Sequence, residues 1–121
     1  MVSVSSTMFP LATVGYSAAE YFMSGNAISY VANGPLNEDG LWNVQAASGS
    51  AAYKTRIVVY RPKNPAKFNG TVIVEWLNVS GGLDAAPGWI NAHTEFTRQG
   101  YAWVGVSAQK EGIDGGGPIS M

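Results

Sequence analysis

Cysteine is absent from the 121 residues, which excludes disulfides, thiolate metal sites and a cysteine nucleophile while leaving the redox compartment open. Histidine occurs once, at His93, so Ser-His-Asp chemistry drawn from these residues alone has a single base to use. Charge is scarce: charged residues make up 12% and the formal net charge is −1, no electrostatic footprint for nucleic acid or an anionic membrane. The longest purely apolar runs are a few residues, far short of the ~20 that a membrane-spanning helix needs. The opening "MVSVSSTMFPLATVGYSAAEY" has no Lys or Arg ahead of its mildly apolar stretch, a poor match to a signal peptide. The default expectation is therefore a cytoplasmic protein without nucleic-acid or membrane partners. G-x-G-x-x-G, G-x-x-x-x-G-K-[ST] and H-E-x-x-H are missing as well, which removes the common dinucleotide, nucleotide and zinc sites. No cofactor or metal is expected.

What is present is apolar and glycine-rich: 46% hydrophobic residues and 15 glycines, enough in a chain of this length for one domain, 1–121, with its own core. Residues 1–62 form a β-rich region. "AEYFMSGNAISYVA" carries Tyr21, Phe22, Ile28, Tyr30 and Val31 around Ser24-Gly25-Asn26, which predicts a hairpin or one long bent strand. "NGPLNEDG" at 33–40 and "SGS" at 48–50 predict loops, leaving "LWNVQA" as a short strand. In "AYKTRIVVY" the alternation sets Tyr53, Thr55, Ile57 and Val59 against Lys54, Arg56 and Val58, a half-buried strand that Pro62 ends.

"TVIVEWLN" is nearly continuously apolar, the pattern of a central parallel strand covered on both faces. From Ala85 to Gln99 the spacing of Trp89, Ala92, His93, Phe96 and Arg98 predicts one helical face. Pro87 or Asp84 suits its first turn, and Gly100 suits the left-handed residue that follows. "YAWVGVS" is a second apolar strand, so 71–107 is a βαβ unit, with Trp76, Trp89, Phe96 and Trp103 expected in one core. The tail 108–121 has no periodicity and is expected to be a glycine-rich loop. One helix covers one sheet face, so an uncovered apolar face capable of self-association is also expected.

Chemistry concentrates at "EWLNVSGGLDAAPGW". A turn leaving the carboxyl end of a parallel strand and entering a helix points unpaired amides outward, where the helix dipole adds positive potential. Gly81 and Gly82 would let a substrate oxygen approach closely, as an oxyanion hole requires; two glycines also satisfy a sharp turn. A serine nucleophile in a G-x-S-x-G elbow needs both glycines. Ser80 has Asn78 in the first glycine position, and Ser107 has Gln109 in the second. Asp84 and Asp114 sit in loops as solvated carboxylates or caps. Glu75, a carboxylate in an apolar strand, requires a sheet edge, a partner such as Arg56, or a function. His93 lies mid-helix, away from the strand tips.

"NGTVIVEWLNVSGGLDAAPGW" and "RQGYAWVGVSAQKEGIDGG" together resemble a branch of the α/β-hydrolase-domain family, within the serine hydrolase superfamily, and the likeness extends upstream through "GYSAAEYFMSGNAISY" and "YKTRIVVYRPKNPAKFNGT". The resemblance implies an α/β fold, the N-terminal part of an α/β-hydrolase sheet, with antiparallel β-strands leading into one βαβ unit. It implies an oxyanion loop built from the amides of Val79, Ser80 and Gly81, and a small ester or acyl substrate. In that family the members are longer, and the elbow follows one helix and one strand after the 101–107 strand. Nucleophile, acid and base are thus expected outside these residues, and the chain by itself is expected to be inactive. Two further readings stay open: a non-catalytic binding or assembly module using an exposed sheet face, and an anion-binding turn at a helix N-terminus.

Overall fold

A computed structural model describes residues 6–115; residues 116–121 of the expected terminal loop lie outside them. The protein divides into two compact units, Met1–Phe22 with Thr55–Met121, and Met23–Lys54.

The elements in chain order are a 3-10 turn Leu11–Val14, β1 Tyr16–Ala32, β2 Val44–Pro62, a 3-10 turn Pro65–Lys67, β3 Val72–Trp76, α1 Pro87–Gln99, β4 Ala102–Val106 and a short α2 Lys110–Asp114. They form one four-stranded sheet in the order β1-β2-β4-β3. β2 runs antiparallel to β4, pairing Ile57 with Val106 and Tyr60 with Trp103. β3 runs parallel to β4, pairing Ile73 with Trp103 and Glu75 with Gly105. The fold is mixed α/β, antiparallel strands leading into one βαβ unit, as the sequence implied.

Several local expectations change. Of the two readings of Ser24-Gly25-Asn26, the structure takes the single long strand rather than the hairpin: β1 runs through it. Gly25 does not take a left-handed φ, and a Cβ there would sit 3.0 Å from the Tyr53 hydroxyl, so the missing side chain makes room for a ring on β2. Ser48-Gly49-Ser50 is likewise no loop, because β2 runs through it to Pro62. On β2 the inward residues are Arg56, Tyr60 and Pro62, all buried, the reverse of the alternation that placed Arg56 outward. The tail folds as α2 over 110–114 where a loop was expected.

α1 begins with Pro87 at its first turn and ends at Gly100 with φ 77°, both as predicted. Its Trp89 is buried, whereas Arg98 is exposed rather than part of the inward face. Trp89 and Trp103 have ring centroids 5.4 Å apart. Tyr60 stacks on Trp103 at 4.9 Å and meets Trp89 edge-on at 4.8 Å. Tyr16, Leu77 and Ala86 complete this buried cluster, with Phe96 packed against it. Trp76 is the exception, 68% exposed beside Val72 and Val74 on the outer face of β3. In a strand that alternates faces, Ile73 and Glu75 turn inward, so Trp76 cannot.

Candidate functional site

The turn between β3 and α1 is closed at its base by a pair of backbone bonds, Asn78 N–H to Ala85 O at 2.9 Å and Ala85 N–H to Asn78 O at 2.8 Å. Inside it the Gly82 amide donates to Val79 O at 2.9 Å, and Gly82 has φ 78°, a conformation that favours glycine. The Ser80 amide donates to Asn78 Oδ1 at 3.0 Å, an Asx turn. Of the three amides expected to line an oxyanion hole, Ser80's is therefore already engaged. The amides of Val79 and Gly81 have no partner among the described residues. A Cβ at Gly81 would meet nothing within 4 Å, so the space above that peptide is open.

Beneath the turn lies a polar network that the sequence did not disclose. Asp84 is fully buried, against the expectation of a solvated carboxylate. Its Oδ2 accepts from Arg56 Nη2 at 2.7 Å and from the Ser107 hydroxyl at 2.5 Å. Arg56 Nε donates to Ser107 Oγ at 3.2 Å, and Arg56 Nη1 reaches Glu20 Oε1 at 3.4 Å. Asp84 Oδ1 has no hydrogen-bond partner among the described residues and lies against Gly112 of α2, where a Cβ would overlap it. A buried carboxylate requires such pairing, and the effect is to tie the turn to β2 and to the end of β4. The signal existed in the sequence as an arginine inside a strand; what was missing was its partner, 28 residues away.

Glu75 lies on the edge strand β3 and finds structural partners, though not Arg56. Its Oε1 accepts from the Gly88 amide at 2.6 Å, and its Oε2 from the Trp89 amide at 2.8 Å and from Trp103 Nε1 at 2.9 Å. It does the work of an N-cap side chain for α1, whose own cap residue is Ala86, and its charge complements the helix dipole. These two first-turn amides are thus occupied by the protein itself.

Ser107, 1% exposed, has its hydroxyl committed as donor to Asp84 and acceptor from Arg56. His93 Nδ1 lies 3.1 Å from Trp89 O and 3.0 Å from Ile90 O, and its ring packs 5.0 Å from Phe9, a structural position within α1. Asp114 is exposed and paired with Lys110. Among the described residues no cluster of His, Asp and Glu could hold a metal ion.

No curated protein and no solved structure matches the chain. A family model described as an alpha/beta hydrolase domain matches residues 2–120. With that match over nearly its whole length and its strands leading into a βαβ unit, the chain belongs to the alpha/beta hydrolase domain family.

Proposed function

We propose that the protein is part of a serine hydrolase acting on carboxylic esters, in which the 78–85 turn binds the oxyanion of the tetrahedral intermediate. The observation that carries this reading is the pair of amides at Val79 and Gly81, without partners among the described residues in a turn otherwise bonded through Ser80 and Gly82. Two donors fixed before the reaction stabilise developing negative charge without reorganising. Ser80 contributes here by holding the turn through Asn78. The 121 residues contain no G-x-S-x-G, so nucleophile, acid and base come from outside them, and the given chain is inactive.

The test compares p-nitrophenyl butyrate hydrolysis by the 121-residue chain with that by the gene's reading frame extended to include a G-x-S-x-G elbow. The first should release no p-nitrophenol and the second should turn over. In the extended chain Gly81→Pro, which deletes the N–H, should lower kcat roughly 100- to 1,000-fold, whereas Gly81→Ala, which keeps it, should not. Unchanged kcat in Gly81→Pro would overturn the assignment, as would hydrolysis by the short chain that disappears in Ser107→Ala.

A second reading, an assembly module, is favoured by the exposed Val72, Val74 and Trp76 on β3. It stands instead of the first if the extended reading frame carries no elbow.

A further inference from the structure

At the opposite end of α1 from the 78–85 turn, about 20 Å away along a 13-residue helix, a cleft of about 560 Å³ opens beside the helix C-terminus. That volume is in the range of small-molecule sites. Three of the chain's seven Lys and Arg, Lys63, Lys67 and Arg98, line it together with Thr97, and no acidic residue does. Gly15 and Gly100 also line it, leaving backbone without side chains at two places on its wall.

Basic residues near a helix C-terminus ordinarily serve the last carbonyls. Here two of those carbonyls, Phe96 O and Gln99 O, are served by other groups. Phe96 O accepts from the Gly100 and Tyr101 amides and from the Tyr16 hydroxyl at 3.1 Å. Gln99 O accepts from Asn69 Nδ2 at 2.9 Å, and Gly100 O from the Asn69 amide at 3.0 Å. Neither Lys63 nor Lys67 has a side-chain hydrogen bond or ion pair among the described residues. Arg98 spends Nε and Nη2 on Glu95 at 2.9 Å each, which leaves Nη1 uncommitted and fixes the plane of the guanidinium.

The geometry points to a binding site for a phosphate-sized dianion in this cleft, with Lys63 and Lys67 as point charges and Arg98 Nη1 as a further donor, the Thr97 hydroxyl being already donated to Thr94 O. Two unpaired ammonium groups match a charge of −2 better than a carboxylate's −1, because each adds its own attraction. The site is independent of ester hydrolysis.

The test titrates the 121-residue chain with inorganic phosphate, sulfate and acetate at constant ionic strength and follows backbone amide resonances by two-dimensional NMR. Phosphate and sulfate should shift Gly15, Lys63, Thr97 and Gly100 along saturating curves, with acetate binding much more weakly. Lys63→Gln and Lys67→Gln should each weaken phosphate about three- to fivefold, the value of one exposed ion pair, while Lys110→Gln, away from the cleft, leaves it unchanged. Each variant's amide spectrum reports at once whether it folds. Shifts that stay linear with concentration, that survive both lysine substitutions, or that acetate reproduces at equal affinity would overturn the proposal.

Discussion

Asp84 and Arg56 are each almost without solvent contact, and the fate of one depends on the other. Removing a single partner of a buried pair strands the remaining charge in a low-dielectric interior, while replacing both with apolar residues need not destabilise. Asp84→Ala should therefore cost about 3–5 kcal/mol in a urea titration, and Asp84→Leu combined with Arg56→Met should cost less than the single change. A single-variant cost under about 1 kcal/mol would show that the turn is not held by this pair. Tyr16 provides a pH signature. Burial pushes its phenol above the ordinary value, and the hydroxyl donates to Tyr101 O at 2.8 Å, which only the protonated form can do. The folded state thus keeps a proton that the unfolded state releases near pH 10, so this contribution is complete below pH ~10 and declines as pH rises toward the folded value. Stability of the wild type should fall more steeply above pH ~10 than that of Tyr16→Phe, as read by chemical denaturation at stepped pH.

α1 is held at both ends by residues outside it, which explains a helix whose own cap is alanine. At the start, the Glu75 carboxylate takes the Gly88 and Trp89 amides. At the end, Gly100 adopts a left-handed φ with the Lys67 carbonyl lying where a Cβ would go. Gly70 has a similar φ, 89°, with open space around it. The two glycines separate backbone strain from steric overlap. Gly70→Ala should cost about 1–2 kcal/mol from the left-handed conformation alone. Gly100→Ala should cost clearly more, since the Lys67 backbone must also move. Equal losses of melting temperature in the two would mean that the 65–67 turn gives way freely.

At the scale of the sheet, β3 is one of its two edge strands. It pairs on one side with β4, and among the described residues nothing pairs with its other side. Its outward face presents Val72, Val74 and Trp76, the last two 66% and 68% exposed. An unpaired strand edge beside an apolar face is a template for association. The 121-residue chain should therefore scatter light as a dimer or larger at micromolar concentration and bind an apolar-surface dye. Val74→Lys with Trp76→Glu should shift it toward monomer. A dye-silent wild-type monomer would sink this expectation.

The sequence by itself determined the βαβ unit, because strand and helix periodicities, Pro87 and Gly100 are local signals that tertiary packing did not need to override. It also located the 78–85 turn, since Gly-Gly after an apolar strand is legible without knowing what lies beneath. It misplaced Gly49, and it left Gly25 open between a turn and a long strand; in both a residue free to turn stayed extended, because cross-strand pairing outweighs a weak local preference. Only the tertiary structure decided the partners of the charged groups. Arg56, Asp84 and Ser107 come from β2, a turn and the end of β4, and Glu75 reaches the start of α1, thirteen residues on, rather than Arg56. Electrostatic pairing depends on distances in space, and no periodicity along the chain records which carboxylate the fold brings to which donor.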